Sequence, residues 1–415
     1  PTLVSGLLTI PFDADEPNLA YPLLVYNHGT AGTREGVPSR VGNGERLLTD
    51  IVGSQGYITL APDYLGLGDD NTAIHPYVHA ASEAAAGRTM IAAVKSWLDQ
   101  EAIGYTEQLF VTGYSQGGHA SAALHLDIQE NPGADNLNVT AAAHMSGPYS
   151  ISEVMKNIVV NNTGTTFPGY LAYTYISYNE VYGVYDDLGA VFVEPYLSPI
   201  RAFAAGATEL FEVNASLENL IAQEGATLQD IFQDSIITIL ETENDHPLNA
   251  ALRDNDVYRF APTSPTSLTY CTADEQVPFR NAILADSVMQ ALGSQSVQLV
   301  SPGALDHGGC VEPAVTFMLI LFNTFAEVVS SVRERELPQL ALYPNPIASG
   351  QRRLLLEGEL ATLEYKIISQ NGNVVFRGEK PSGQNHLALP QLPSGIYFLK
   401  AQTDQQQYLN KIIIH

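Results

Sequence analysis

The sequence predicts an α/β fold on a mainly parallel sheet, with a helical insertion and a separate small all-β domain at its C-terminal end. Three observations carry this. Short β-branched and aromatic runs alternate with longer helical stretches through the first third of the 415 residues, the pattern of βαβ units. Between Tyr149 and Pro262 the alternation stops for a span far longer than an ordinary connection, then resumes. After residue 338 the texture becomes short alternating strands punctuated by Pro-Ser-Gly and Asn-Gly turns.

Taken in order, strands are predicted at 23–26, 57–61, 109–112 and 139–145, with helices at 82–100 and 116–129. The intervening segment 150–262 is read as a helical cap inserted into a catalytic domain spanning 1–335. It carries Tyr170, Tyr173, Tyr175, Tyr178, Tyr182 and Tyr185 at helix-like spacings, with Phe192, Phe203 and Phe211 beyond. Rings in that pattern pack a cap as readily as they touch a substrate, so none is assigned to a site. Strands at 267–272 and 297–301 follow, with helices at 277–292 and 311–333. The charged stretch Arg333-Glu334-Arg335-Glu336 and Leu337-Pro338 then lead into the β-domain at 338–415.

Composition narrows the function classes. Lys and Arg total 19 against 45 Asp and Glu, a formal charge of −26, which argues against nucleic acid or an anionic membrane surface as partner. Apolar residues make up 45% of the chain in short runs, none of membrane-spanning length. The chain opens at Pro1 on a strand-like stretch, so any export signal is read as already removed.

Gly113-Tyr114-Ser115-Gln116-Gly117 is a GxSxG pattern, and its setting gives it weight. It follows an apolar strand and opens a helix, the strand-turn-helix of a nucleophile elbow. Side chains at 113 or 117 would collide with neighbouring backbone, and the helix amino terminus offers free amides where an oxyanion forms. A serine hydroxyl needs a base, itself held by a carboxylate. Of the histidines after Ser115, only His307 lies in a loop following the last core strand; the others fall on the elbow helix, in a strand, in the cap or in the tail. Asp274, one strand and one helix earlier, is the expected carboxylate, with Glu275 and Asp306 as rivals. The two cysteines, Cys271 and Cys310, each stand three residues from Asp274 or His307, and a disulfide between them would fix acid against base in an oxidising compartment.

The oxyanion donors are predicted to be the backbone amides of Gln116 and of Thr30, in Asn27-His28-Gly29-Thr30, with Gly29 as the alternative to Thr30. His28 reads as an anchor for that loop. Asp63, Asp69 and Asp70 suggest a hydrogen-bonded turn rather than calcium. No metal or cofactor is expected.

His28-Gly29-Thr30, Ala61-Pro62-Asp63-Tyr64, His75-Pro76-Tyr77, Ser82-Glu83-Ala84 and the elbow together resemble the secretory lipase family, typified by fungal lipase A enzymes, over roughly residues 3–330. The resemblance implies an α/β-hydrolase fold with a helical cap and lipase or carboxylesterase activity. Gln116 departs from the family pattern. Leu342-Tyr343-Pro344-Asn345-Pro346, Ser369-Gln370-Asn371-Gly372, Leu392-Pro393-Ser394-Gly395 and the terminal Lys411-Ile412-Ile413-Ile414 resemble the C-terminal sorting domain of type IX secretion, an immunoglobulin-like sandwich. That implies export through the outer membrane, with the secretion machinery as partner. The expected substrate is a small-molecule, lipid or polyester ester. A serine peptidase of the same fold and a non-catalytic binding protein are the alternatives.

Overall fold

In the computed structural model, the described residues are 3–11, 19–71, 74–133, 136–162, 167–330, 339–348, 350–357, 362–369, 373–403 and 407–415. The charged stretch at 333–336, Leu337-Pro338 and the turn at Asn371-Gly372 lie outside them. The chain divides into two compact units, Pro1–Ser331 and Val332–His415.

Eight strands of the first unit form one sheet: β1 (Gly6–Thr9), β2 (Leu19–Asn27), β3 (Ile58–Pro62), β4 (Tyr105–Tyr114), β5 (Ala141–Met145), β6 (Thr266–Cys271), β7 (Val297–Gly303) and β8 (Val329–Ser330). Their order is β1-β3-β2-β4-β5-β6-β7, with β8 against β2. The strands from β3 to β7 along this order are parallel, while β1 and β8 are antiparallel. Helices α1 (Gly44–Gly53), α2 (Ala80–Glu101) and α3 (Gln116–Glu130) precede β5; α10 (Arg280–Ala291) and α11 (Val311–Phe325) follow β6 and β7. Between β5 and β6 lie α4 (Lys156–Val160), α5 (Pro168–Tyr182), α6 (Leu197–Ala204), α7 (Leu210–Glu224), α8 (Asp234–Thr242) and α9 (Pro247–Asp254).

Strand period two sorts the core. Leu24 and Tyr26 of β2 face Val52, Met318 and Phe322, beneath α1 and α11. Leu23 and Val25 point the other way, to Ile91, Leu98 and Leu124 of α2 and α3. The inserted helices have their own core, in which Tyr173, Tyr175 and Tyr178 are buried with Phe192, Leu217 and Ile236. Helix α5 starts with Pro168 at its first turn and ends at Gly183 with φ 61°, so its limits are set by local chemistry.

One boundary corrects the sequence expectation. The helix predicted at 311–333 ends at Phe325, and Val329–Ser330 turns back as β8 beside β2. Gln108 fixes the break, donating to the Phe325 carbonyl at 2.7 Å and accepting the Glu327 amide at 2.8 Å. A further helix, α1, was not predicted; Asn43 caps it by accepting the Arg46 amide at 2.9 Å.

The second unit contains β9 (Leu342–Tyr343), β10 (Arg353–Leu356), β11 (Leu363–Ser369), β12 (Val374–Lys380), β13 (His386–Ala388), β14 (Gly395–Gln402) and β15 (Gln407–Ile414). They form antiparallel sheets ordered β13-β10-β9 and β12-β11-β14-β15. Leu354, Leu363, Ile367, Leu387, Leu399 and Ile412 fill the core of this unit.

Candidate active site

Ser115 sits between β4 and α3 with φ 59° and ψ −122°, a conformation rarely tolerated outside glycine. Its amide donates to the Met145 carbonyl at 3.0 Å, tying the turn to β5. The neighbouring glycines are sterically obligatory. A Cβ on Gly117 would lie 2.0 Å from the Asn27 carbonyl oxygen, and one on Gly113 would lie 2.1 Å from the Gly117 carbonyl oxygen. Only backbone without side chains lets β2, β4 and α3 approach this closely.

Across the carboxyl ends of the strands, His307 Nδ1 lies 2.8 Å from Asp274 Oδ2. The carboxylate can only accept, so Nδ1 carries the proton and Nε2 is left as an acceptor. The other Asp274 oxygen accepts the Gln276 and Val277 amides at 3.0 and 2.8 Å, which fixes the loop after β6. Glu275 grips the backbone instead, its Oε2 accepting the His307 amide at 3.0 Å. Burial pushes the Glu275 pKa up, but that bond, its other hydrogen bonds and the nearby imidazole outweigh burial and leave it lowered. Asp306 turns into its own loop and accepts the Gly309 amide at 2.6 Å. The two rivals thus bind main chain, and Asp274 alone of the three holds the ring.

Cys271 and Cys310 form a buried disulfide joining the acid-bearing and histidine-bearing loops. Tyr114, immediately before Ser115, donates its hydroxyl to the His307 carbonyl at 2.6 Å, and the two rings are 5.1 Å apart. The elbow and the histidine loop are therefore neighbours through Tyr114.

Gln116 opens α3, so its amide precedes the first intrahelical acceptor. The Thr30 hydroxyl and the Tyr77 hydroxyl are 2.9 Å apart. The Gly29 amide is already engaged, donating to Glu45 Oε1 at 3.3 Å. His28 is buried, stacked on Tyr64 at 4.2 Å, with its ring nitrogens 2.7 and 3.2 Å from the Gly29 and Asp63 carbonyls. Asp63, Asp69 and Asp70 are held separately, by Ser5 and the Ser39 amide, by Arg40, and by the Gly66 amide.

A largely apolar cavity begins at Ser115 and Gln116 and runs among Tyr77, Ile151, Tyr170 and Tyr175. Sequence reasoning assigned no cap tyrosine to the site, because helical spacing does not say which ring faces inward. Tyr77 was noticed only within a family motif. Among the described residues no group of three or more His, Cys, Asp or Glu could hold a metal ion, and no helix is long and apolar enough to cross a membrane.

The chain matches the secretory lipase family over residues 44–310 and the secretion system C-terminal sorting domain over 341–415. Among solved structures, a Legionella pneumophila protein described as a hydrolase superposes with TM-score 0.69 at 26% identity, covering 81% of this chain and 86% of that one. The rice cell wall degrading esterase LipA of Xanthomonas oryzae gives 0.64 at 25%, covering 78% and 86%. Candida antarctica lipase A gives 0.54 at 16%, covering 75% and 72%, a likeness of fold. No curated protein matches the sequence. The sorting domain marks the protein for export, to the medium or the cell surface. With its α/β-hydrolase fold and a family match across most of the first unit, the chain belongs to the secretory lipase family and is a carboxylic-ester hydrolase.

Proposed function

We propose that the enzyme works by two-step acyl transfer, with Ser115 as nucleophile, His307 as general base and Asp274 orienting the imidazole. His307 Nε2 takes the Ser115 proton as Oγ attacks the ester carbonyl, and the Gln116 and Thr30 amides stabilise the oxyanion. The alcohol leaves with that proton, and water then releases the acyl group by the same route. The observation that carries this reading is the 2.8 Å Asp274–His307 bond, on a loop held against the residue preceding Ser115. Engagement of the Gly29 amide by Glu45 favours Thr30 as the second donor.

The apolar cavity at Ser115 suits an uncharged acyl group. Because the Xanthomonas oryzae protein is described as a cell wall degrading esterase, plant-wall esters belong in the substrate panel beside lipid and polyester esters. The tail is proposed to engage type IX secretion machinery. The test is turnover of p-nitrophenyl esters against aminoacyl p-nitroanilides by wild type and Ser115→Ala. Ester cleavage with little anilide cleavage, abolished in the variant, supports the reading; ester turnover surviving in Ser115→Ala overturns it.

A further inference from the structure

Gln116 follows the nucleophile, yet its side chain is turned wholly inward and the residue is 1% exposed. Its carboxamide nitrogen donates to His75 Nε2 at 2.7 Å and to Glu83 Oε1 at 2.9 Å, which uses both hydrogens. The opposite amide orientation would set the Gln116 oxygen against the Glu83 carboxylate, an acceptor facing an acceptor. His75 agrees with this assignment. Its Nδ1 donates to the Leu65 carbonyl at 2.8 Å, leaving Nε2 to accept, and burial lowers its pKa to about 3, so it stays neutral. Gln116 Oε1 is buried without a partner among the described residues, so these two bonds alone hold the carboxamide.

Behind them lies a charge pair out of contact with water. Glu83 Oε2 is 2.7 Å from His119 Nδ1, and His119 Nε2 is 2.9 Å from the Asn255 carbonyl, with Glu83 and His119 both 0% exposed. Two acceptors on one ring require both nitrogens to donate. Burial lowers the His119 pKa, but the charge and hydrogen bond of Glu83, the Asn255 carbonyl and the charge of Asp256 together outweigh it and raise the pKa overall, as an imidazolium requires. A buried ion pair stabilises a fold little more than well-packed apolar residues would, so packing alone is a weak reason for this one.

We propose that Glu83, together with His75, is a positioning residue for acyl transfer, holding the Gln116 main-chain N–H in place for the oxyanion through the Gln116 side chain. The proposal rests on the assignment of that amide to the oxyanion site. It gives a role to the residue at which this chain departs from its family's elbow pattern. The side chain at 116 is an anchor reaching back to Glu83 of α2.

The experiment compares Glu83→Met, Glu83→Gln, Gln116→Met and the double Glu83→Met/Gln116→Met with wild type. It reads kcat and KM on a soluble p-nitrophenyl ester, inhibition by an alkyl boronic acid that forms a tetrahedral adduct on serine, and thermal unfolding. Glu83→Met is expected to lower kcat by about tenfold or more with KM within about twofold, and to weaken boronate binding by a similar factor, because misplacing a catalytic group by about 1 Å costs up to about 10²-fold. Glu83→Gln can still accept from Gln116 and donate to a neutral His119, so it is expected to keep most of kcat. The double variant should be no slower than Gln116→Met alone, the signature of two residues acting through one contact. A folded Glu83→Met with unchanged kcat and boronate affinity, or losses that simply add in the double variant, overturns the proposal. If Glu83→Met does not fold, Gln116→Met serves alone, and an unchanged kcat there is equally fatal. Ser115→Ala run in parallel separates the two readings: activity surviving there refutes the acyl-transfer scheme itself, whatever Glu83 does.

Discussion

The elbow and the loops carrying Asp274 and His307 are held by different physics. At Gly113 and Gly117 main chain meets main chain with no room for a Cβ. The opposing loops are held by side chains: the Asp274 and Glu275 carboxylates on His307, and the Cys271–Cys310 disulfide. A Cβ on Gly308, beside the histidine, would meet nothing beyond its own chain neighbours closer than Asp306 Oδ1 at 4.0 Å. Close-packed backbone has no rotamer with which to absorb an intrusion, whereas side-chain links can be lost one at a time. Gly117→Ala should therefore lower kcat/KM on the order of 10²-fold or more, with a clear drop in unfolding midpoint, because β2 or α3 must move. Gly308→Ala should leave both within experimental error. Equal effects of the two substitutions would erase the distinction.

That difference also decides what was legible in the sequence. The elbow could be read because steric need writes glycines at fixed spacing, and Asp274 and His307 because strand ends are predictable from apolar runs. Thr30 was preferred and Gly29 kept as its alternative without sight of Glu45, which engages the Gly29 amide from α1, a helix the sequence reading did not see. The Gln116, His75, Glu83 and His119 contacts join residues 33 to 41 positions apart, beyond any local pattern. The end of α11 was missed because apolar residues recur on both sides of Asn323, Thr324 and Glu327 as far as Val329, and periodicity does not separate a helix from the short strand after it.

The side-chain half is tested next by Cys271→Ser/Cys310→Ser. The two cysteines are 39 residues apart, so the loop-closure argument puts the loss of stability at about 4 kcal/mol. Asp274 and His307 keep their hydrogen bond in the variant, and kcat should fall only severalfold under conditions where it is folded. A loss of kcat as deep as that of Ser115→Ala would mean that the disulfide alone positions the pair.

Acid should act first on the elbow's side of the site. His75 and His125 are buried with pKa values lowered to about 3, and burial also lowers His144, which lies 3.3 Å from His125. A depressed histidine means that the unfolded chain takes up protons from pH 6.5 downward while the native state does not. Linkage then removes about 2 kcal/mol for each of His75 and His125 by pH 5. His119, whose pKa is raised, works in the other direction, losing its contribution only as pH rises through its native pKa. Glu275, lowered from its ordinary 4.5, begins to cost stability only near and below that value. The unfolding midpoint should therefore fall between pH 6.5 and 4.5, and His125→Asn should flatten that slope by up to one proton. A midpoint flat over this interval would show that these histidines are not neutral in the native state.

The smallest effect belongs to the residue joining the two halves. Tyr114 precedes Ser115 on the rigid side, and its hydroxyl donates to the His307 carbonyl on the adjustable side. Tyr114→Phe keeps the ring against the imidazole and removes only that bond, leaving the carbonyl of buried His307 unpaired, a cost of about 1 kcal/mol. Because the bond ends on the His307 backbone, the loss should fall on the placement of the proposed base, as a severalfold lower kcat/KM with Asp274 still holding the ring. In the Cys271→Ser/Cys310→Ser background the same substitution should cost more, since the disulfide no longer limits where the loop can go. Losses that merely add would mean that the disulfide and Tyr114 constrain His307 independently, and the elbow would then set the position of the base no more than any other neighbour does.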